Sequence, residues 1–297
     1  MTNLDLGRAA FHSAIAVARD PSAAVGPRRW PPRLAAVAER LRGGVTAAAA
    51  TAVPLAFPTL LLGLWILSAR LGWLPAQILP DPALVAATVA EFVETGDLWF
   101  HTGVSLLRVI EGFALGAALG LGLGVAMGLS DRARWIIEPS FTAIAQVPPL
   151  GWIPLLMLLV GIDEALKVLI IAKAALIPVA LNTHKGIRNV PTAWREVGAA
   201  LTFGPWLTLT RIVLPASVPT VFTGIRNGLT NAWLALVAVE LLASSEGLGY
   251  LMVWGRQLFQ LDLVILAMIV VGLVGFALDW SLGRVERRLQ RWELAGS

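Results

Sequence analysis

The stretch WREVGAALTFGPWLTLTRIVLP runs from Trp194 to Pro215 and lies between two long apolar runs, yet it carries Arg195, Glu196 and Arg211. Pro191 suits a first helical turn, with Asn189 available just before it. Gly204-Pro205 punctuates the segment, a second short helix follows, and Pro215 is expected to stop it. On a helical projection Trp194, Val197, Gly198 and Leu201 share one face, and Glu196, Ala199, Ala200 and Phe203 share the other. The apolar side is expected to rest on the remainder of the protein. The opposite side shows one carboxylate ringed by small and aromatic residues, the surface of a docking knob.

What surrounds this segment is hydrophobic. The 297 residues are 57% hydrophobic and 14% charged, with a mean hydropathy of +0.75. Soluble domains carry about 25% charged residues. Length alone would allow one or two soluble domains, but this composition indicates an all-α polytopic membrane protein. The basic residues are mostly arginines at the edges of apolar runs, which fits cytoplasmic membrane loops and excludes a nucleic-acid face. There is no cysteine, hence no disulfide or thiol chemistry. Residues 1–52 have no apolar core behind a basic start, so they read as a cytoplasmic tail and not as a cleaved signal. Within that tail RLAAVAERLR has the pattern of a short amphipathic helix.

About 20 apolar residues cross a bilayer as a helix. The candidate spans are 53–71, 101–129, 135–161, 165–181, 218–242 and 263–282. The second exceeds a perpendicular span, so it is expected to tilt or to begin along the interface. Charge orients the set. The N-terminal tail has seven arginines, whereas residues 72–100 have no Lys or Arg and carry Asp81, Glu91, Glu94 and Asp97. SDRAR (residues 130–134) is basic and GIDEALK (161–167) is mixed. The 182–215 segment holds Lys185, Arg188, Arg195 and Arg211, and the C-terminal end holds Arg284, Arg287, Arg288 and Arg291. Six spans with both termini in the cytoplasm satisfy every loop. This divides the chain into tail 1–52, transmembrane domain 53–283 with the cytoplasmic loop 189–215, and tail 284–297.

Details within the spans speak of packing and of a path. Gly112, Gly116, Gly120, Gly124 and Gly128 recur every fourth residue and let other backbones approach closely. That stripe drifts around its helix, so more than one neighbour can share it. Pro148 and Pro149 remove backbone donors within the third span. The break is either a structural kink or an element of a pathway, since irregular backbone at membrane depth lines cavities or is buried in protein. Thr223, Asn227, Thr230 and Asn231 form a polar face on the fifth span, suited either to helix–helix hydrogen bonds or to a water-filled route. Arg226 beside them can snorkel.

Other polar residues offer no catalytic constellation. Glu111 follows Arg108 at a spacing that allows them to pair. Glu240 and Asp279 can pair across helices or reach interfacial water. The histidines, His12, His101 and His184, lack partners at metal spacing and read as interfacial or solvated. No G-x-x-x-x-G-K-[ST] loop is present, so no nucleotide is held here and the chain is not read as an enzyme.

The opening stretch resembles the EAA loop of binding-protein-dependent ABC transporter permeases. In that motif a glutamate leads and I-x-L-P closes, positions filled here by Glu196 and by Ile212 to Pro215. Two positions depart from it: the motif's second alanine is Gly198, and its usual glycine is Thr202, with Gly204 two residues later. LPDPALV, SLLRVIEGFALG, VPPLGWIPLLMLLVGI, VPTVFTGIRNGLTNAW and VELLASSEGLGYLM extend the likeness from about residue 79 to 284. They resemble the aliphatic-sulfonate, taurine and nitrate permeases.

The resemblance implies a type I importer permease of the bacterial cytoplasmic (inner) membrane. It implies two copies of an ABC ATPase, a second permease copy in a homodimer, and an extracytoplasmic substrate-binding protein. It assigns Glu196, Gly198, Ala199, Ala200, Phe203 and Gly204 to ATPase coupling, and implies alternating access driven by ATP in the partner chain. No cofactor and no metal is expected. Two other classes remain: a secondary transporter, for which no second copy of the broken helix is evident, and a structural membrane subunit, which gives no reason for a carboxylate-bearing docking helix.

Overall fold

A computed structural model describes residues 56–75 and 78–289. The tail 1–52, its amphipathic stretch, His12 and the last eight residues lie outside the described part. The chain divides into two units at Trp65 and Ile66, and the helical bundle below belongs to the second.

All regular structure among the described residues is helical. The elements are α1 (Ala56–Leu71), α2 (Pro82–Glu94), α3 (Asp97–Leu129), α4 (Asp131–Gln146), a 3₁₀ turn (Pro149–Trp152) and α5 (Ile153–Val160). Then come α6 (Glu164–Arg188), α7 (Thr192–Ala200), α8 (Pro205–Thr208), a π turn (Leu209–Val213), α9 (Leu214–Ala243), α10 (Leu248–Gln257) and α11 (Leu261–Leu289). Three stretches are long and apolar enough to cross a membrane among the described residues: Asp97–Leu129, Pro205–Ala243 and Leu261–Arg288. A fourth arises if Asp131–Gln146 and Pro149–Val160 make one broken span.

The core is built on α6. The five glycines of the α3 stripe, from Gly112 to Gly128, all meet this one helix, not several neighbours. A Cβ on Gly112 would lie 2.6 Å from Ile171 Cβ, one on Gly116 would strike the Ala172 carbonyl, and one on Gly120 would come 2.8 Å from Leu176 O. Gly124 faces Thr183 and Gly128 faces Ile187 in the same way. A four-residue step overshoots a full turn by about 40°. The two helices therefore cross at an angle that follows the stripe, as close glycine-mediated pairs do. α6 also meets Gly224 and Gly228 of α9, whose Cβ positions would fall 2.6 Å from Asn182 Cβ and 2.8 Å from Val179 Cγ2. Leu166, Ile170, Ile171, Ala175, Val179 and Ala180 are left fully buried. Where lipid offers no hydrophobic drive between helices, this contact area is what holds them.

Several expected boundaries move. Pro148-Pro149 gives a break, with α4 and the following segment bent by 93°. Pro215 does not stop a helix. It sits in the first turn of α9, where its missing N–H is no loss, and the preceding π turn takes up the helix geometry. Asn189 closes α6, and Pro191 rather than Asn189 occupies the N-cap position of α7. Residues 284–289, expected in the tail, complete α11. The connections 72–100 and 244–261 contain α2 and α10. Asp81 caps α2 by accepting from Ala83 N–H at 2.8 Å, and Thr88 donates to Asp262 at 2.6 Å, tying α2 to the start of α11.

Candidate functional site

The segment 189–215 forms a surface feature anchored at three points. Gly198 is the one buried residue of α7, and a Cβ there would lie 2.7 Å from Ile212 Cδ1. Arg195 donates to the Ile187 carbonyl at 2.9 Å and satisfies the end of α6. The turn after α7 closes by two bonds, Phe203 N–H to Gly198 O and Thr202 N–H to Ala199 O, both 2.9 Å. This is the Schellman arrangement, whose left-handed residue is usually glycine. Here it is Thr202, at φ +58°. The departure from the motif's glycine thus falls on the position that glycine suits best.

The apolar face of α7 does not rest on the bundle as expected. Trp194, Val197 and Leu201 are each more than half exposed. Trp194 and Val197 form a groove of about 490 Å³ with Arg211, Ile212, Pro215 and Ala216. Glu196, Ala199, Ala200 and Gly204 are also exposed, and Phe203 is half-buried. Ala199 and Phe203 line a second hollow, of about 630 Å³, together with Arg195, Pro205 and Gly128. The segment therefore exposes both a carboxylate-bearing side and an apolar side.

Around the broken span the structure brings two of the expected pathway residues together. Pro149 and Asn231 line one pocket of about 300 Å³ with Ala145, Leu150, Ala174 and Ile177. Pro148 precedes the 3₁₀ turn. Thr223, Asn227, Thr230 and Asn231 are all exposed on one side of α9, while Gly224, Gly228, Ala232 and Trp233 face the core. The Thr223 and Thr230 hydroxyls donate to Pro219 O and Arg226 O of their own helix, at 3.1 and 3.2 Å. These two hydroxyls are thus satisfied within α9, and all four side chains stay exposed.

Sequence proximity misassigned the buried charges. Arg108 does not pair with Glu111. Its guanidinium makes two 2.7 Å bonds to Glu164 and one to Glu240, and it donates to Glu246 O at 2.8 Å. Glu240 is 1% exposed and also accepts from Ser105 Oγ and Gly249 N–H. His101 is buried, not solvated, and its Nδ1 accepts from Gly247 N–H at 3.0 Å. Arg226 does not merely snorkel. It holds Asp279 through two 2.7 Å bonds and Glu286 at 3.0 Å. Lys173 escaped notice as well: it donates to Val147 O at 2.6 Å, and its Nζ lies 5.3 Å from the Trp152 ring centroid. A lone lysine inside LIIAKAALIPVAL was the available signal. Among the described residues no group of His, Asp and Glu is placed to hold a metal.

Comparison with known proteins agrees with this architecture. Residues 116–291 match the family described as binding-protein-dependent transport system inner membrane component. The chain is 37% identical over 238 residues to the putative aliphatic sulfonates transport permease protein SsuC of Bacillus subtilis (strain 168), covering 80% of this chain and 86% of that one. It is 34% identical to the protein of the same name from Escherichia coli (strain K12), covering 82% and 92%. With the taurine transport system permease protein TauC of Escherichia coli (strain K12) it shares 32% identity over 78% and 86%. In fold it is similar to a chain of an amino acid ABC transporter crystallised with histidines (TM-score 0.58, 13% identity, 67% and 97% covered). A chain of the inward-facing MetNI methionine ABC transporter is similar too (TM-score 0.55, 14% identity, 62% and 92% covered). The chain belongs to the binding-protein-dependent transport system inner membrane components: it is a multi-pass permease subunit of an ABC importer.

Proposed function

We propose that this permease carries small organic sulfonates, taurine or a related oxyanion such as nitrate, by alternating access powered in a separate ATPase. Two permease copies pair as a homodimer, two ATPase subunits dock beneath them, and an extracytoplasmic binding protein delivers the solute. Six spans (α1, α3, the α4–α5 pair, α6, α9 and α11) cross the membrane with both termini cytoplasmic. Residues 1–52 and 284–297 flank the transmembrane domain 53–283. The sulfonate and taurine permeases among its relatives favour the solute class.

The observation that carries the coupling reading is the exposed yet anchored segment 189–215. Gly198 and Gly204 shape its turns, Ala199 and Ala200 permit close approach, Phe203 adds apolar contact, and Glu196 accepts charge-assisted hydrogen bonds from the ATPase. Pro148, Pro149, Thr223, Asn227, Thr230 and Asn231 line the route. In reconstituted permease–ATPase complexes supplied with binding protein, Glu196→Ala is expected to lower transport and stimulated ATP hydrolysis while insertion stays normal. Wild-type values would remove this segment from the coupling role. Orientation is read by single cysteines at Glu94 and Ala200: Glu94 should be labelled from outside intact cells and Ala200 only after the membrane is opened. The reverse pattern would overturn the topology.

A further inference from the structure

Basic side chains in apolar helices need compensation, and this chain supplies carboxylates for most of them. Arg108 has Glu164 and Glu240, Lys167 has Glu164, and Arg226 has Asp279 and Glu286. Lys173 belongs to no ion pair among the described residues. What faces its ammonium is the Val147 carbonyl at 2.6 Å and the Trp152 ring at 5.3 Å. A carbonyl dipole and the negative face of an indole stabilise a cation without cancelling its charge. An ammonium has three donors. Val147 takes one of them.

The position of this uncancelled charge is specific. Lys173 lies about 14 Å along α6 from Glu164, at a rise of about 1.5 Å per residue. It immediately precedes Ala174 and sits one turn before Ile177, both of which line the 300 Å³ pocket at the broken span. Val147, its hydrogen-bond partner, stands between Ala145 and Pro149, which line the same pocket. Two further donors belong to this neighbourhood. Asn231 contributes its amide to the lining, and the Trp152 indole N–H is buried with no acceptor. No residue lining the pocket is acidic, and Leu150, Ile177 and Leu234 make most of its wall apolar.

We propose that Lys173 is the anion-selecting residue of the translocation route, a solute-contact site for the sulfonate group of a small alkanesulfonate. The proposal rests on the importer reading above and adds to it the group that recognises charge. A sulfonate has one negative charge spread over three acceptor oxygens, which suits an ammonium with two free donors and neutral N–H groups nearby. Its alkyl part matches the Leu150 and Ile177 wall. An anion entering a low-dielectric passage meets a large desolvation cost that a nearby cation offsets. With no carboxylate to displace, the ammonium can receive the anion and release it, which passage through a transport site requires.

The test uses the complete transporter, permease with ATPase and binding protein, in proteoliposomes, with labelled ethanesulfonate and taurine as probes. Lys173→Met is expected to cut ethanesulfonate uptake on the order of tenfold, the scale of one lost hydrogen bond to a charged group. Lys173→Arg should recover most of it. Taurine, which carries its own ammonium, should be slowed several-fold less, whereas a lysine that only supports the helix break would slow both alike. The native chain has no cysteine, so Lys173→Cys, assembled with cysteine-free ATPase and binding protein, is modified at that position alone in each permease copy. A methanethiosulfonate reagent that adds an aminoethyl group should restore uptake, and one that adds a methyl group should not. Equal restoration by both, or wild-type uptake by Lys173→Met, overturns the proposal and leaves the importer reading intact. Wild-type complexes that carry neither sulfonate overturn the sulfonate reading itself, and this proposal with it.

Discussion

The Arg108 clasp and the 189–215 segment solve opposite problems. In the clasp, charged groups sit where the chain is driest: Arg108 is 3% exposed and Glu240 1%. In the segment, large apolar groups stand free: Trp194 is 53% exposed and Trp206 75%. A buried charge is tolerated when every lone pair and proton finds a partner. The clasp finds its partners within the chain, on α3, α6, α9 and the turn before α10. An exposed apolar surface of this kind marks a site of interaction. The clasp is satisfied within the described chain; the segment leaves its apolar groups uncovered.

That contrast is broken most severely from the clasp. Arg108→Met leaves Glu240 buried and unpaired, which costs about 3–5 kcal/mol for a buried pair. Thermal unfolding of the purified permease should fall accordingly, and Arg108→Met with Glu240→Gln should recover much of the loss. If the single variant unfolds like wild type, the clasp is not what fixes these helices. Gly247→Ala comes next. Gly247 has φ +106°, and a Cβ there would run into the Glu240 carboxylate. A side chain forced into such backbone costs roughly 1–3 kcal/mol, again read as lowered thermal stability.

The segment responds differently. Thr202→Gly removes a left-handed β-branched residue, whose cost is about 1–2 kcal/mol, and should protect the 189–215 backbone from hydrogen exchange. Unchanged exchange would mean that the strain is relieved elsewhere. The smallest stability effect belongs to Glu196→Ala, within about 0.5 kcal/mol for an exposed side chain with no hydrogen bond or ion pair among the described residues. Its transport should nevertheless fall. A variant that unfolds instead would place Glu196 in the fold and erase the contrast between the two regions.

Patterns along one helix were legible from sequence, and relations between helices were not. The α3 glycine ladder announced close packing, but its drift pointed to several neighbours because one helix's periodicity cannot show how its partner crosses. Arg108 was paired with Glu111 because only sequence distance was visible, whereas its carboxylates lie 56 and 132 residues further on. Pro148-Pro149 declared a break but not its 93° bend. Pro215 looked terminal because a π turn leaves no mark in composition. That Glu196, Ala199 and Ala200 lie at the surface was readable from charge and small residues. That the apolar face of α7 stays open was not, since amphipathicity says which face seeks cover and not where the cover comes from.

The π turn before α9 has a mechanical consequence. It joins α8 to α9 as one helical stretch, Pro205–Ala243, of 39 residues, or about 58 Å at about 1.5 Å per residue. Such a stretch has the proportions of a lever, with one end in the exposed segment and Asn231 and Glu240 further along it. A tilt of about 5° at that end swings the far tip by about 5 Å over that length. Residues 205–215 and the polar face of α9 are therefore joined by helical backbone without an intervening loop.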